Sequence, residues 1–238
     1  MSKPHKVKRF YKTVSVQPEG DGFAVCLDGR TVRTQRHVPL LAPIRQLAEE
    51  IVKEWEAQNE HIDRESMKLT ALLSGALDGV ENGDTGQWTE DTLKYLQSDL
   101  LCYRADEPAG LVKRQAEIWQ PYLDWLQDEF DAPLIVTQTL LAKAQPSKSV
   151  DAVESQLKVM SPSVLFAVKV ATAITGSAVL ALAAWKGAFP IVDIFNASQV
   201  DEHFQQERWG VDDEARLRED AMRAEFLKVA EFFQLLKS

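Results

Sequence analysis

The pair Asp28-Gly29 narrows what this chain can fold into more than any other feature. It lies between two short β-prone runs, Phe23–Leu27 and Thr31–Thr34. A two-residue Asp-Gly link of this kind favours a type I′ turn, whose twist matches that of paired strands. A third strand is expected over Thr13–Val16, joined to the second through Pro18-Glu19-Gly20-Asp21-Gly22, a run of residues that accept turn conformations. The start of the chain therefore reads as a three-stranded antiparallel meander. On Phe23–Leu27 the alternation puts Phe23, Val25 and Leu27 on one face and leaves Ala24 and Cys26 on the polar side.

A helix follows at once. Pro39 and Pro43 bracket a short extended piece, and Pro43 suits a first helical turn. Ile44, Leu47, Ala48, Ile51, Val52 and Trp55 then recur at steps of three and four, the apolar stripe of a surface helix. Asn59 is placed to close it in the left-handed conformation. Met67–Val80 is apolar nearly all round and reads as a buried helix. The loop Glu81–Gly86, with two glycines and two acids, is the expected domain boundary. The division is a small N-terminal α+β domain over 1–82 and an all-helical C-terminal domain over 83–238.

The second part reads as helix after helix. Trp88–Leu101 comes first, then Leu111–Phe130 with a kink or break expected at Pro121. Leu134–Leu141 is ambiguous between strand and helix. Val150–Met160 is amphipathic. A central apolar helix is expected from Ser161-Pro162 onward, with Ser161 as N-cap. Pro190–Trp209 follows, stopped by Gly210, and a last helix runs from Asp212-Asp213 to about Leu236. The fold class is α+β.

Charge excludes one class of partner. The chain carries 27 basic and 36 acidic side chains, a net charge of −9. Such an acidic body repels phosphate backbones, so nucleic acid is not an expected partner. Val164–Trp185 is mostly apolar over about one membrane thickness of helix. Lys169, Thr172, Thr175 and Ser177 interrupt it, so the expectation is a buried helix and no stable membrane insertion. The basic start lacks an apolar core with a small-residue cleavage site. This points to a bacterial cytoplasmic location, or to the mitochondrial matrix for a processed eukaryotic relative.

Reaction chemistry leaves no mark. The two cysteines, Cys26 and Cys102, are far apart and form no CxxC pair. His5, His37, His61 and His203 are scattered, so neither a zinc site nor any other metal site is expected. No phosphate-cradling glycine loop and no nucleophile elbow occurs. No cofactor and no catalytic residue is expected. Trp209 stands out: it sits among charges at a helix end, which suits a hinge or a partner contact.

An ordered set of segments carries a resemblance. It comprises RFYKTVSV at 9–16, LDGRTVRT at 27–34 and PLLAPIRQLAEEIVKEWEAQNEHID at 39–63. MKLTALLSGALDGV at 67–80, SDLLCYRA at 98–105, RQAEIWQPYLDW at 114–125, TGSAVLALA at 175–183 and VDEHFQQERWG at 200–210 continue it. The chain resembles the ATP synthase assembly chaperones of the ATP-twelve type. Lys68, where that pattern has proline, and Arg33-Thr34-Gln35 depart from it locally.

The resemblance implies a non-catalytic chaperone. Such a protein binds the unassembled alpha subunit of the synthase's catalytic head and prevents its aggregation until a beta subunit replaces it. It also implies that Glu202, Gln205, Glu207 and Trp209 meet the partner. Glu54, Trp55 and Gln58 belong to a structural motif of the first domain, and Asp99 and Arg104 are expected to pair and order the turn between them. A monomer is expected, since no heptad seam appears. Two rival readings stand beside this one: an enzyme or small-ligand-binding protein using a cleft between the domains, and a peripheral membrane protein anchored by Val164–Trp185.

Overall fold

The computed structural model describes residues 7–139 and 143–237. They group into two units, one of residues up to Asp84 together with those from Glu231 on, the other Thr85–Ala230. The sequence had assigned everything after 82 to the second domain. The end of the chain groups with the first instead, where Phe232, Phe233 and Leu235 are buried.

In the first unit, β1 (Val14–Glu19) and β2 (Gly22–Leu27) pair antiparallel, with Val14 opposite Leu27 and Glu19 opposite Gly22. Asp28 and Gly29 adopt φ of 48° and 78°, the positive pair that a type I′ turn requires. They lead into β3 (Arg30–Thr31), which returns along β2. The extended piece between the prolines forms a fourth strand, β4 (Leu41–Ala42), paired with Phe23 and Ala24 of β2. The sheet thus has four strands where the sequence suggested three. Gly22 permits the β4 pairing, because a Cβ there would lie 2.9 Å from the Ala42 carbonyl oxygen.

β2 is buried on both faces. Cys26 and Ala24 are as inaccessible as Val25, so the expected polar face does not exist. Alternation signals one dry face only when the other meets water, and small Ala24 and Cys26 sit where the second face is covered.

α1 (Arg45–Glu56) packs on β1 and β2 through fully buried Leu47, Ala48 and Ile51. Its C-terminus closes on Ala57 in the right-handed region rather than on Asn59. Gln58 takes over that task. Its amide donates to the Glu54 carbonyl at 2.9 Å, and its carbonyl accepts the Asp63 amide at 2.7 Å. α2 (Lys68–Asn82) packs against α1 and ends at Gly83, φ 78°.

The second unit is helical: α3 (Thr85–Gln97), α4 (Ala109–Phe130), α5 (Ser147–Lys158), α6 (Pro162–Thr175), α7 (Ala178–Lys186), α8 (Ile191–Ser198), α9 (Val200–Trp209) and α10 (Asp213–Leu235), the last passing beyond Ala230. α4 continues through Pro121 with no break. Up to Thr139, residues 134–141 form no regular strand or helix. Thr137 bridges Tyr103 by exchanging backbone bonds with Cys102 and Arg104; the rest of that segment lies outside the described residues.

The apolar run Val164–Trp185 is two helices, not one. Gly176, φ 70°, ends α6, and the Ser177 hydroxyl caps α7 by accepting the Leu180 amide at 3.0 Å. Ser161 precedes α6 but makes no side-chain cap. α7 is buried on every side from Ala178 to Ala184, and its small residues let the neighbouring helices approach. No described helix is long and apolar enough to cross a membrane.

Candidate functional site

The predicted partner-contact residues Glu202, Gln205, Glu207 and Trp209 all fall on α9, which turns at Gly210 into α10. Gly210, φ 87°, stops α9. Asp213 and Glu214 then open α10, where acids suit the positive end of a helix dipole. The first turns of α10 are mostly exposed, and the helix becomes buried only from Phe226 onward. Phe226 packs on Phe195 with ring centroids 5.9 Å apart.

α4 holds α9 in place. Arg114 grips Glu207 with two bonds of 2.8 Å each and stacks over the Phe204 ring. Gln115 donates to Asp201 at 2.6 Å, and on the preceding α8 the Ala197 carbonyl accepts the buried Trp119 indole at 2.7 Å. Between α9 and α10, His203 Nε2 lies 2.7 Å from Glu219 Oε1. Burial pushes the Glu219 carboxyl up. Its bonds to His203 and Gln206, with the charges of His203 and Arg223, outweigh this and hold it below the ordinary value.

Among the charged side chains that this scaffold leaves in the open, three large apolar ones stand out. Trp209 is 77% exposed, Leu217 66% and Val211 56%. Trp209 ends α9, Val211 follows it, and Leu217 lies in the second turn of α10. Glu202 and Gln205 are exposed on α9. Glu202 lines a cleft of about 610 Å³ with Gln206, Arg218 and Met222. Glu207 differs from its neighbours, since its carboxylate is already engaged by Arg114. Val211 and Leu217 were missed from the sequence because neither lies on a periodic stripe.

Glu54, Trp55, Gln58, Asp99 and Arg104 do not join this surface. Glu54 accepts the Leu69 and Thr70 amides and the Thr70 hydroxyl, each at 2.8 Å. The carbonyl of Trp55 accepts the Tyr11 hydroxyl at 2.7 Å, and the two rings meet edge to face. The expected Asp99–Arg104 pair does not form. Asp99 is wholly buried and accepts from Ser177 at 2.7 Å, Leu101 at 3.1 Å and Val179 at 3.2 Å. Both of its oxygens serve the N-terminus of α7. Arg104 turns away to the Gln120 side chain at 2.9 Å and the Leu101 carbonyl.

Among the described residues no group of three or more His, Cys, Asp or Glu side chains could hold a metal ion. Burial pushes the Cys102 thiol up to about 12, with Asp99 adding to the effect, which leaves it unreactive.

α9 and α10 thus form a helix pair braced by α4, with Trp209, Val211 and Leu217 exposed. The comparisons with known proteins define the class. A family model described as ATP12 chaperone protein matches residues 8–127. Atp12 from Paracoccus denitrificans is similar at 34% identity, over 96% of this chain and 98% of its own, with a TM-score of 0.90. A point mutant of the same Paracoccus protein matches at 33% identity, over 96% and 97% of the two chains, also at 0.90. The Atu1473 protein of Agrobacterium tumefaciens matches at 38% identity, over 97% of this chain and 85% of that one, at 0.89. The chain belongs to the ATP12 chaperone family.

Proposed function

We propose that this protein is an assembly chaperone of the proton-translocating ATP synthase. It binds the unassembled alpha subunit of the catalytic head, shields it from aggregation and yields it to the beta subunit. Family membership supports the chaperone role. The observation that carries the contact reading is the exposure of Trp209 on a helix that Arg114 holds rigid. A large aromatic residue stabilises the free protein little while 77% exposed, but contributes strongly once a partner covers it.

The physics of a holding chaperone fits such a surface. A subunit taken from an alternating ring exposes a wide apolar interface. A binder that covers it and is displaced by a tighter neighbour needs neither a reaction nor a cofactor. The proposed site is Glu202, Gln205 and Trp209, with Glu207 setting the orientation of the helix. The protein acts as a cytoplasmic monomer and is not an enzyme.

Purified alpha subunit, diluted from denaturant with and without an equimolar amount of this chain, tests the reading by light scattering and gel filtration. The expected result is suppressed scattering and a complex that dissolves when beta subunit is added. Unchanged scattering with no complex would overturn it.

A further inference from the structure

The first unit carries a feature that the hairpin surface does not account for. A groove of about 880 Å³ opens beside the sheet, its apolar lining including Val7, Phe10, Trp55 and Met67. Phe10 is 69% exposed there. Arg30 and Thr31, the whole of edge strand β3, line the groove as well. Its arginines are Arg30, Arg33 and Arg64. All three are exposed, and none makes an ion pair among the described residues.

The acid lining the groove is Asp28, and its carboxylate is turned to the backbone. It accepts the Thr13 amide at 2.8 Å, the Lys12 amide at 3.0 Å and the Thr13 hydroxyl at 3.0 Å. These bonds hold it below the usual carboxylate range. Residues 7–40 carry six basic side chains against three acidic ones, within a chain of net charge −9. The lining itself thus carries three guanidiniums and one carboxylate, while the nearby carboxylates of Glu19, Asp78 and Glu54 are taken up by the hydroxyls of Thr31, Thr34 and Thr70. The Trp55 indole N–H adds a buried donor with no hydrogen-bond partner among the described residues.

We infer that this groove docks an extended segment of the client polypeptide in which apolar side chains alternate with carboxylates. The inference rests on the chaperone reading above. Apolar side chains match the lining, and carboxylates match three guanidiniums that make no ion pair among the described residues, Arg33 donating only to the neutral His37 carbonyl at 2.7 Å. Strand β3 at the wall favours an extended chain, whose side chains alternate between the groove and the rim. Client contact then has two parts, an apolar tip on the helical unit and a charge-selected groove on the sheet unit.

The test uses the full chain and two fluorescein-labelled octapeptides, one of alternating leucine and glutamate, the other with glutamine for glutamate. Fluorescence anisotropy is expected to show saturable binding of the glutamate peptide and about tenfold weaker binding of the glutamine peptide. The double variant Arg30→Glu, Arg33→Glu is expected to lose about tenfold in affinity for the glutamate peptide. Phe10→Ser weakens binding too, and Val159→Ala, at an exposed residue outside both surfaces, leaves it unchanged. Equal affinity for both peptides, or no effect of the arginine variant, overturns the inference. Laurate binding more tightly than the peptide overturns it in favour of a lipid ligand.

Binding of free alpha subunit separates the two claims. If the wild type and the arginine variant capture it equally, the groove is no client site and the chaperone reading stands. If the peptide pattern holds while alpha subunit is not captured, the groove stands and the alpha-subunit reading falls.

Discussion

The carboxylate of Glu54, on α1, accepts the backbone amide of Leu69 at 2.8 Å, and through its other oxygen that of Thr70. These are first-turn amides of α2, whose own N-cap, Met67, offers no side-chain acceptor. A helix from one segment thereby receives its cap from another. The cap also ties α1 to α2 through a side-chain carboxylate on one helix and backbone donors on the other.

Replacing Glu54 by Ala is expected to cost about 1 to 2 kcal/mol, the range seen when a side-chain cap is lost. Hydrogen exchange of the Leu69 and Thr70 amides gives the local reading. Both should exchange faster in Glu54→Ala, with Glu54→Gln in between, since the amide keeps one acceptor oxygen.

Asp99 supplies the same kind of cap to α7, but from full burial. Loss of water pushes its carboxyl up to about 6, although bonds from Ser177 and the α7 backbone pull the other way. The folded value lies above the unfolded 3.8, so the native state takes up this proton first. Its contribution to stability then grows as pH falls from about 6 towards about 4. Asp99→Asn should flatten that window in urea titrations. It should also cost about 1–3 kcal/mol at neutral pH, because an amide NH₂ would face the donors of α7.

Much of the first unit was readable in advance. The Asp28-Gly29 turn is local chemistry, and so is the stripe of α1. The break in the apolar run was not readable, although Gly176 and Ser177 stood in plain view. A glycine and a serine inside a hydrophobic stretch leave its periodicity undisturbed. Gly176 and Ser177 form the terminus themselves, and Asp99, 78 residues away from Ser177, holds the Ser177 hydroxyl and the Val179 amide in place. Cys26 failed for a related reason, since alternation does not report what covers the second face of a strand. At the candidate site, Trp209 was legible as an oddity among charges. The bracing by Arg114 was not, because it joins residues 93 positions apart.

Trp209→Ala and Leu217→Ala should leave thermal stability within about 0.5 kcal/mol of wild type, as exposed truncations do. The same variants are expected to weaken capture of alpha subunit by about 2 kcal/mol or more for Trp209 and less for Leu217. Calorimetry of the free protein and titration against the subunit supply the two numbers.

The contact between α9 and α10 has its own pH response. Glu219 is held below its ordinary value of 4.5. Its stabilising contribution is therefore full above that pH and lost as pH falls through the lowered value. Amide exchange in α9 should rise on acidification below about 4.5, and Glu219→Gln should abolish the response.

Arg114→Ala should loosen α9 more than Glu207→Ala. The guanidinium both pairs with the carboxylate and stacks on Phe204. Removing the carboxylate leaves the stack, whereas removing the arginine takes both. The ion-pair part should fade with added salt and the stacking part should persist, which urea melts at two ionic strengths would separate.

The break at Gly176-Ser177 sets an order of events on the ribosome. Its acceptor is made first: Asp99 and the turn around it have emerged well before Ser177 is added. When α7 begins to form, its cap is already present upstream, and the run from Val164 to Trp185 need never exist as one uninterrupted apolar rod. Synthesis from the other end would expose that rod while it waited for its carboxylate. Synthesis from the N-terminus thus places the buried acceptor ahead of the helix it buttresses.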